Sequence, residues 1–296
     1  MIHDKSISRR LFHILNYTIL LSISLLCVLP FVNLLAVSFS SSSAVSAGSV
    51  TFWPVEFTTK AYEFALSGDA FYSSLWVAIQ RTVLGTVVNL LLIVLTAYPL
   101  SKTKQKVMGR NVYMGFFIVT MLFSGGLIPT YLVVVKMGLI DSIWSLILPG
   151  ALPVFSMIIL MNFIRGLPEE IEESAIIDGA GPLQVLIRIM LPLLKPALAT
   201  VGLFSIVGHW NSWFDGIIYM NNPANYPLQS YLQTLLQSFE QMMLKSGSDY
   251  TQLLSMMNAR TGRAAQMFLG AIPILLIYPF LQKYFTKGLV LGSVKG

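Results

Sequence analysis

Long uncharged stretches alternate with short polar segments along most of this chain. A membrane helix needs about 20 predominantly apolar residues, and six stretches meet that requirement. They cover residues 11–37, 72–100, 111–135, 142–164, 196–218 and 264–284. Because only helices and closed barrels satisfy their backbone groups in lipid, the pattern predicts an all-α membrane protein with six transmembrane helices. Residues 1–10 form a short tail before the first span.

The longest polar interruption of the C-terminal half lies at residues 165–196, and it holds five of the 13 carboxylates within ten residues. Pro168 suits the first position of a helix, and the glutamates after it suit a helix N-terminus. Asp178-Gly179 then ends that helix, since glycine accepts the left-handed C-cap geometry. The residues predict a first short helix followed by a tight turn.

A second short helix is predicted to begin at Pro182 and to end at Pro192 and Pro196. Its apolar residues recur at helical spacing and share one face: Leu183, Leu186, Ile187 and Met190. The whole segment therefore reads as an amphipathic helix–turn–helix between two spans, a shape suited to docking a partner at the membrane surface.

The third and fourth predicted spans each contain several helix breakers. Gly125-Gly126 and Pro129 lie in the third, and Pro149 and Pro153 in the fourth. We expect kinks or breaks at these positions.

The composition fits a membrane protein and excludes several other classes. Of 296 residues, 55% are hydrophobic and 11% are charged, whereas soluble domains carry about 25% charge. Cys27 is the single cysteine, so no disulfide framework or Cys/His metal site can form. The net charge of +6 comes from residues scattered near span ends, which argues against nucleic-acid binding.

The basic residues predict the orientation in the membrane. The termini and the segments 101–111 and 165–196 carry thirteen of the 19 lysines and arginines, and the other side carries six. Positively charged loops favour the cytoplasm, so we expect both termini and the 165–196 segment to be cytoplasmic.

The sequence lacks the motifs of an enzyme or a self-powered carrier. It has no phosphate-binding loop, zinc-protease or serine-hydrolase motif, so we expect no catalytic residues and no metal site. The charged residues nearest to the spans lie toward span ends, and Arg81 is expected to be a boundary residue whose side chain reaches the interface. A carrier without a nucleotide site or an ion relay takes its energy from another subunit.

Three further stretches carry a resemblance. Glu173-Ser174-Ala175, Asp178-Gly179-Ala180 and then Ile189, Leu191 and Pro192 resemble the EAA loop of bacterial ABC importer permeases. The stretches 97–102 and 210–215 are similar to the carbohydrate-uptake branch, related to the maltose permease subunits and nearest to polysaccharide-type permeases.

The resemblance implies that residues 11–296 form a type I ABC importer transmembrane domain in a bacterial cell membrane. It implies a second homologous permease, a cytoplasmic ABC ATPase dimer and an extracytoplasmic sugar-binding protein as partners. ATP and Mg would be bound by the ATPase, with no cofactor in this chain. The residues implied in ATPase coupling are Glu173, Ser174, Ala175, Asp178 and Gly179.

Other polar residues have two interpretations. Glu169, Glu170 and Glu172 are expected to form a solvated, dipole-favoured first turn of the helix. Candidates for a substrate path are Trp210, Asn211, Trp213 and Asp215. Aromatic faces stack on sugar rings, but tryptophan near a span end is also a common interfacial anchor.

The expected function is that of a permease subunit in an ATP-driven oligosaccharide importer. Three alternatives stay open at this point: the same fold carrying a non-sugar solute, a structural or signalling membrane subunit, and a stand-alone secondary carrier.

Overall fold

A computed structural model describes residues 7–103, 107–245, 260–277 and 279. Every regular element in those residues is helical, which confirms the all-α class. In chain order the helices are α1 (Ile7–Ser38), α2 (Ser42–Ser46), α3 (Lys60–Ser67), α4 (Asp69–Ser101), α5 (Arg110–Leu122), α6 (Leu127–Lys136), α7 (Val154–Arg165), α8 (Glu170–Ile177), α9 (Pro182–Leu193), α10 (Lys195–Asn211), α11 (Phe214–Tyr219), α12 (Leu228–Lys245) and α13 (260–277).

Two helices, α1 and α4, are uninterrupted and long enough to cross a membrane by themselves. They contain 32 and 33 residues. At 1.5 Å per residue each extends about 48–50 Å, more than the ~30 Å hydrocarbon core of a bilayer. They coincide with the first two apolar stretches of the sequence.

Three further apolar stretches form helix pairs with a bend between them. The bend is 113° between α5 and α6, 52° between residues 143–150 and α7, and 81° between α9 and α10. The described residues thus hold two spanning helices, or five spans if each pair counts as one, and the predicted count of six is not reproduced in this part of the chain. The predicted sixth span at 264–284 overlaps α13 and continues into residues outside the described part.

The breaks lie where glycine and proline predict them. Gly126 precedes α6 with a φ of +87°, a left-handed conformation that favours glycine. Before α7 the backbone forms two 3-10 turns, Ile143–Leu146 and Leu148–Gly150, and Pro153 caps the helix. Proline has no N–H to continue a helical ladder, so the regular helix starts only after it.

The described residues divide into two compact units. The first consists of residues up to 71 together with 234–271. Within it, Asn33 Nδ2 donates to the Thr51 carbonyl at 2.6 Å, and the Ser42 and Thr261 hydroxyls lie 3.2 Å apart. Among the described residues, α1 has little covering, since only 6% of its most apolar window is buried.

The second unit consists of residues 72–233 and those from 272 onward. Its main core joins the C-terminal part of α4 to α7, α8, α9 and α10. The largest fully buried side chains there are Ile93, Met157, Leu160, Met161, Val185 and Leu194. This core places the two short helices of the 165–196 segment against the end of α4.

A tight turn after α6 closes the opposite end of this unit. Asp141 adopts a φ of +60°, and its carboxylate accepts hydrogen bonds from the backbone N–H groups of Asn221 and Asn222 at 2.7 and 3.1 Å. The partners of Asp141 are thus about 80 positions away in the sequence.

Candidate functional site

The 165–196 segment, called the coupling segment below, contains the predicted turn at Gly179. Gly179 has a φ of +83°. The Ala180 N–H donates to the Ala175 carbonyl at 2.9 Å, and the Gly179 N–H donates to the Ile176 carbonyl at 3.0 Å. This pair of bonds is a Schellman motif, which satisfies the last carbonyls of α8. The predicted helix end at Asp178-Gly179 is therefore confirmed.

The motif residues of α8 divide between its exposed and buried faces. Glu173, Ser174, Asp178 and Gly179 are exposed, whereas Ala175 is buried with 6% of its surface accessible. Ala175 packs in the core cluster of the second unit. A partner protein could touch the first four residues without rearrangement, but Ala175 can contribute only through internal packing.

The second short helix, α9, ends between the two prolines that are predicted to end it, and it contains a π-helical turn. Residues Val185–Met190 form a π-helical turn, in which the Leu191 N–H donates to the Leu186 carbonyl. Pro192 lies within α9 and removes one donor from the normal ladder. The helix ends after Leu193, and Pro196 lies in the first turn of α10. Turns of this π type are frequent at functional sites.

The predicted apolar face of α9 is correct for two of its four residues. Leu186 and Met190 are buried together with Val185, but Leu183 and Ile187 are 64% and 53% exposed. The π turn shifts the helical register, so one continuous stripe cannot remain buried.

Four exposed aliphatic side chains form an apolar patch on either side of the Gly179 turn. They are Ile176, Ile177, Leu183 and Ile187, with 52%, 85%, 64% and 53% of their surface exposed. Exposed apolar patches rimmed by polar residues mark interaction sites. The patch together with exposed Glu173 and Asp178 makes a surface suited to a protein partner.

Glu172 is bound to the end of α4, so the predicted solvated position is wrong for this residue. Its carboxylate pairs with Lys102 and accepts a hydrogen bond from the Tyr98 hydroxyl at 3.1 Å. The Lys102 ammonium also lies 4.2 Å from the centre of the Tyr98 ring. The Glu172 side chain is only 17% exposed, whereas Glu169 and Glu170 are exposed as expected.

Two arginines also bind the end of α4 near Glu172. Arg110 Nε donates to the Leu100 carbonyl at 2.8 Å, and Arg165 donates to the Leu100 and Ser101 carbonyls at 3.1 and 3.3 Å. Cations near the last carbonyls of a helix are favourable because of the helix dipole. Lys102, Arg110, Arg165 and Glu172 together border a cavity of about 310 Å³.

A second polar centre lies in the other half of α4. It borders a cavity of about 550 Å³, called the inner cavity below. The residues that line it include Arg81, Asn89, Phe155, Phe204, His209, Asp215 and Tyr219. Polar groups and aromatic faces thus share one cavity within the second unit.

Arg81 is an internal residue, which corrects its predicted boundary position. It is 2% exposed, and its guanidinium binds both carboxylate oxygens of Asp215, one of them at 3.0 Å. It also donates to the Ser212 carbonyl at 3.1 Å. Asp215 accepts further bonds from the Ser212 hydroxyl at 2.9 Å and from the Gly216 N–H at 3.0 Å. This ion pair therefore holds α4 to the break between α10 and α11.

About two turns further along α4, a hydrogen-bonded group around Asn89 joins α4 to α10. With the amide of Asn89 oriented to satisfy both of its ends, the oxygen accepts from His209 Nε2 at 3.2 Å. The nitrogen donates to the carbonyls of Gly85 and Ala151 at 3.1 Å. The His209 ring occupies the space beside Gly85 that a side chain would need. Only glycine at position 85 allows this close approach.

Of the four candidate path residues, Asp215 alone is among those that line the inner cavity. Trp210 is buried with 5% exposed, Asn211 is exposed, and Trp213 is 38% exposed. Within the residues that the structure describes, no three His, Cys, Asp or Glu side chains are arranged to hold a metal ion.

Sequence reasoning missed Arg81 and Glu172 as partners of distant residues. The sequence does contain a signal for the first pair. Arg81 is the single Lys, Arg, Asp or Glu residue of the stretch 72–100, and Asp215 is the single one of the stretch 196–218. Opposite charges in two apolar segments tend to pair. Glu172 is one of four glutamates within five residues, and the sequence does not indicate which of the four has a partner inside the chain.

The sequence is similar to known membrane transport proteins. Residues 89–290 match the family described as "Binding-protein-dependent transport system inner membrane component". The chain is 42% identical over 290 residues to the Polygalacturonan/rhamnogalacturonan transport system permease protein YtcP of Bacillus subtilis (strain 168), covering 97% of this chain and 99% of YtcP. It is 42% identical over 291 residues to Protein LplC of the same organism, covering 97% and 96%.

A solved structure is similar over the same extent. The chain superposes with a TM-score of 0.85 and 32% identity on a chain of a bacterial ABC transporter involved in the import of the acidic polysaccharide alginate. The match covers 95% of this chain and 99% of that chain.

Proposed function

The chain belongs to the family of binding-protein-dependent transport system inner membrane components, and we propose that it is a permease subunit of an ATP-driven importer of oligosaccharides. The observation that carries the proposal is the 42% identity to YtcP across nearly the full length of both chains. YtcP is named for polygalacturonan and rhamnogalacturonan transport, and the similar solved structure imports alginate. A non-sugar solute is therefore not favoured.

The coupling segment is proposed to bind a partner ATPase. Its support is the surface around Gly179, where exposed Glu173, Ser174 and Asp178 adjoin the apolar patch. Acidic side chains and aliphatic groups on a rigid turn could fit a cleft with basic and apolar walls. The ATPase dimer would bind ATP and Mg and carry out the hydrolysis, so this chain is a transport subunit and not an enzyme.

Two further partners follow from the same proposal. A second homologous permease would cover part of the apolar surface of α1, most of which is exposed among the residues that the structure describes, and an extracytoplasmic binding protein would deliver the sugar. The bias of lysine and arginine supports a bacterial cell membrane location with both termini in the cytoplasm.

The inner cavity is proposed to border the sugar path. Phe155, Phe204 and Tyr219 supply aromatic faces there, and Asp215 and Asn89 supply polar groups. This proposal keeps Asp215 from the predicted path residues and replaces the three others, because Trp210, Asn211 and Trp213 are not among the residues that line the cavity.

The coupling role is tested by comparing Gly179→Ala with Gly181→Ala in the complete importer. Alanine at 179 must adopt a φ of +83°, whereas Gly181 has a φ of −69° and open space around its Cα. A left-handed alanine costs about 1–2 kcal/mol. We expect Gly179→Ala and Glu173→Gln to reduce ATPase association and uptake of short oligogalacturonides, and Gly181→Ala to leave both unchanged.

Each alternative function predicts a different result. If Gly179→Ala and Glu173→Gln both leave uptake and ATPase association unchanged, the chain acts as a structural or signalling subunit. If the chain alone transports sugar into liposomes without any ATPase, it is a stand-alone carrier.

A further inference from the structure

Adjacent glutamates of α8 have opposite environments. Glu173 is exposed on the surface that we propose for the ATPase. Glu172 points to the chain's own α4, where it pairs with Lys102 and accepts from the Tyr98 hydroxyl. One residue of the same helix therefore faces outward, and its neighbour holds the helix to a long span.

The junction between α8 and α4 has three members that stabilise one another. Lys102 is paired with Glu172 and lies 4.2 Å from the centre of the Tyr98 ring, and Tyr98 donates to the same carboxylate. Tyr98 and Lys102 are four residues apart, so they share one face at the end of α4. Glu172 is the common acceptor of both, and its loss would remove the polar contact between α8 and this end of α4.

A second contact fixes the chain just before α8. Arg165, the last residue of α7, donates to the Leu100 and Ser101 carbonyls. Ala175 of α8 also packs in the same core as Ala97 and Leu100 of α4. Polar bonds and apolar packing thus join the first half of the coupling segment to one end of α4.

The other half of α4 carries the inner cavity. Tyr98 and Arg81 are 17 positions apart in the sequence, which corresponds to about 26 Å along a helix. Since α4 is continuous between them, a shift at the Glu172 end is carried along the helix to the Arg81–Asp215 pair.

We propose that Glu172 is the positioning residue that makes α8 and α4 move together, so that displacement of the coupling segment reaches the inner cavity. The inference rests on the proposed role of the coupling segment. Glu173, Ser174 and Asp178 would bind the ATPase, and Glu172, through Lys102 and Tyr98, would transmit the movement.

The first experiment separates binding from transmission. In the complete importer reconstituted in liposomes, with short oligogalacturonides as the probe, Glu172→Gln should leave ATPase association intact and reduce sugar uptake per ATP hydrolysed by about fivefold or more. Glu170→Gln is the matched control, because Glu170 is an exposed glutamate of the same helix turn, and it should change neither quantity.

Exchanging the charges of Lys102 and Glu172 distinguishes loss of their ion pair from a general folding defect. The double variant Lys102→Glu with Glu172→Lys restores opposite charges at the junction, and we expect it to recover part of the uptake that each single variant loses. Recovery cannot come from a contact between Glu172 and the ATPase, because the reversed charge would repel the same partner.

Covalent connection provides an independent test. In a Cys27→Ser background, Lys102→Cys and Glu172→Cys joined by a short bis-methanethiosulfonate linker should still support transport, since the two helices move together. Transport that stops on linking and returns on reduction would overturn the proposal, because it would show that the junction must open.

The remaining outcomes are also decisive. If Glu172→Gln reduces ATPase association as strongly as Glu173→Gln, or leaves uptake per ATP unchanged, Glu172 does not have this role. If Gly179→Ala and Glu173→Gln have no effect on association or uptake, the proposed function of the segment fails first.

Discussion

Two ion pairs hold α4 in the second unit, and they differ in their surroundings. At Arg81–Asp215 the side chains are 3% and 24% exposed, and at Lys102–Glu172 they are 13% and 17% exposed. Arg81 binds both carboxylate oxygens and a backbone carbonyl with its planar guanidinium. Lys102 is a point charge that one carboxylate and one aromatic ring surround.

The difference indicates that the Arg81–Asp215 pair stabilises the fold and that the Lys102–Glu172 pair can take part in conformational change. A buried arginine that loses its partner keeps a charge that water cannot reach, so breaking that pair is costly. The Lys102–Glu172 pair borders a cavity of about 310 Å³, so water can partly replace a lost partner there and the connection can change at lower cost. We therefore expect variants of the first pair to affect stability and variants of the second to affect coupling.

The largest expected effect is that of Asp215→Asn. It leaves the Arg81 guanidinium buried without a countercharge, and the expected loss in the free energy of unfolding is about 3–5 kcal/mol. Denaturant titration of the purified protein in detergent measures this loss.

The matched control is the double variant Arg81→Met with Asp215→Asn, which removes both charges. It should be more stable than Asp215→Asn alone. Equal stability of the single and double variants would show that the buried charge is not the cause.

Gly85→Ala tests how tightly the same half of α4 is packed. A Cβ at this position would collide with the His209 ring, and overpacking of this kind costs about 1–3 kcal/mol. Gly115→Ala in α5 is the control, because nothing lies within 4 Å of its added Cβ. It should be neutral or slightly stabilising, and a similar loss at both positions in thermal unfolding would contradict the packing argument.

The smallest expected effect on stability is that of Glu172→Gln, about 1 kcal/mol or less. The amide can still accept from the Tyr98 hydroxyl, and Lys102 remains partly accessible to water. If the free energy of unfolding falls as far as it does in Asp215→Asn, the proposed contrast between the two pairs is wrong.

Much of the coupling segment could be predicted from the sequence because its signals are local. Asp178-Gly179 ends α8 by a rule that concerns only backbone conformation and hydrogen bonds within a few residues. The break before α6 at Gly126 is predicted by the same reasoning. The apolar face of α9 was predicted less well, because the π turn at Val185–Met190 changes the helical register.

The positions of single charges could not be predicted in this way. Arg81 was expected at a membrane boundary and is buried, and Glu172 was expected in solvent and is paired. In each case the partner lies at least 70 positions away in the sequence, so neither a propensity nor a helical period contains the information.

The sequence by itself determined the all-α membrane class, the order of the apolar stretches, and the resemblance to ABC importer permeases. These follow from composition, from short-range rules and from a motif of fixed spacing. Only the tertiary structure decided which residues of that motif are exposed, that Glu172 binds α4, and that Arg81 and Asp215 form a pair beside the inner cavity. The physical reason is that a buried charged side chain is stabilised by the protein groups that replace its hydration shell. Those groups come from distant parts of the sequence, and only folding brings them together.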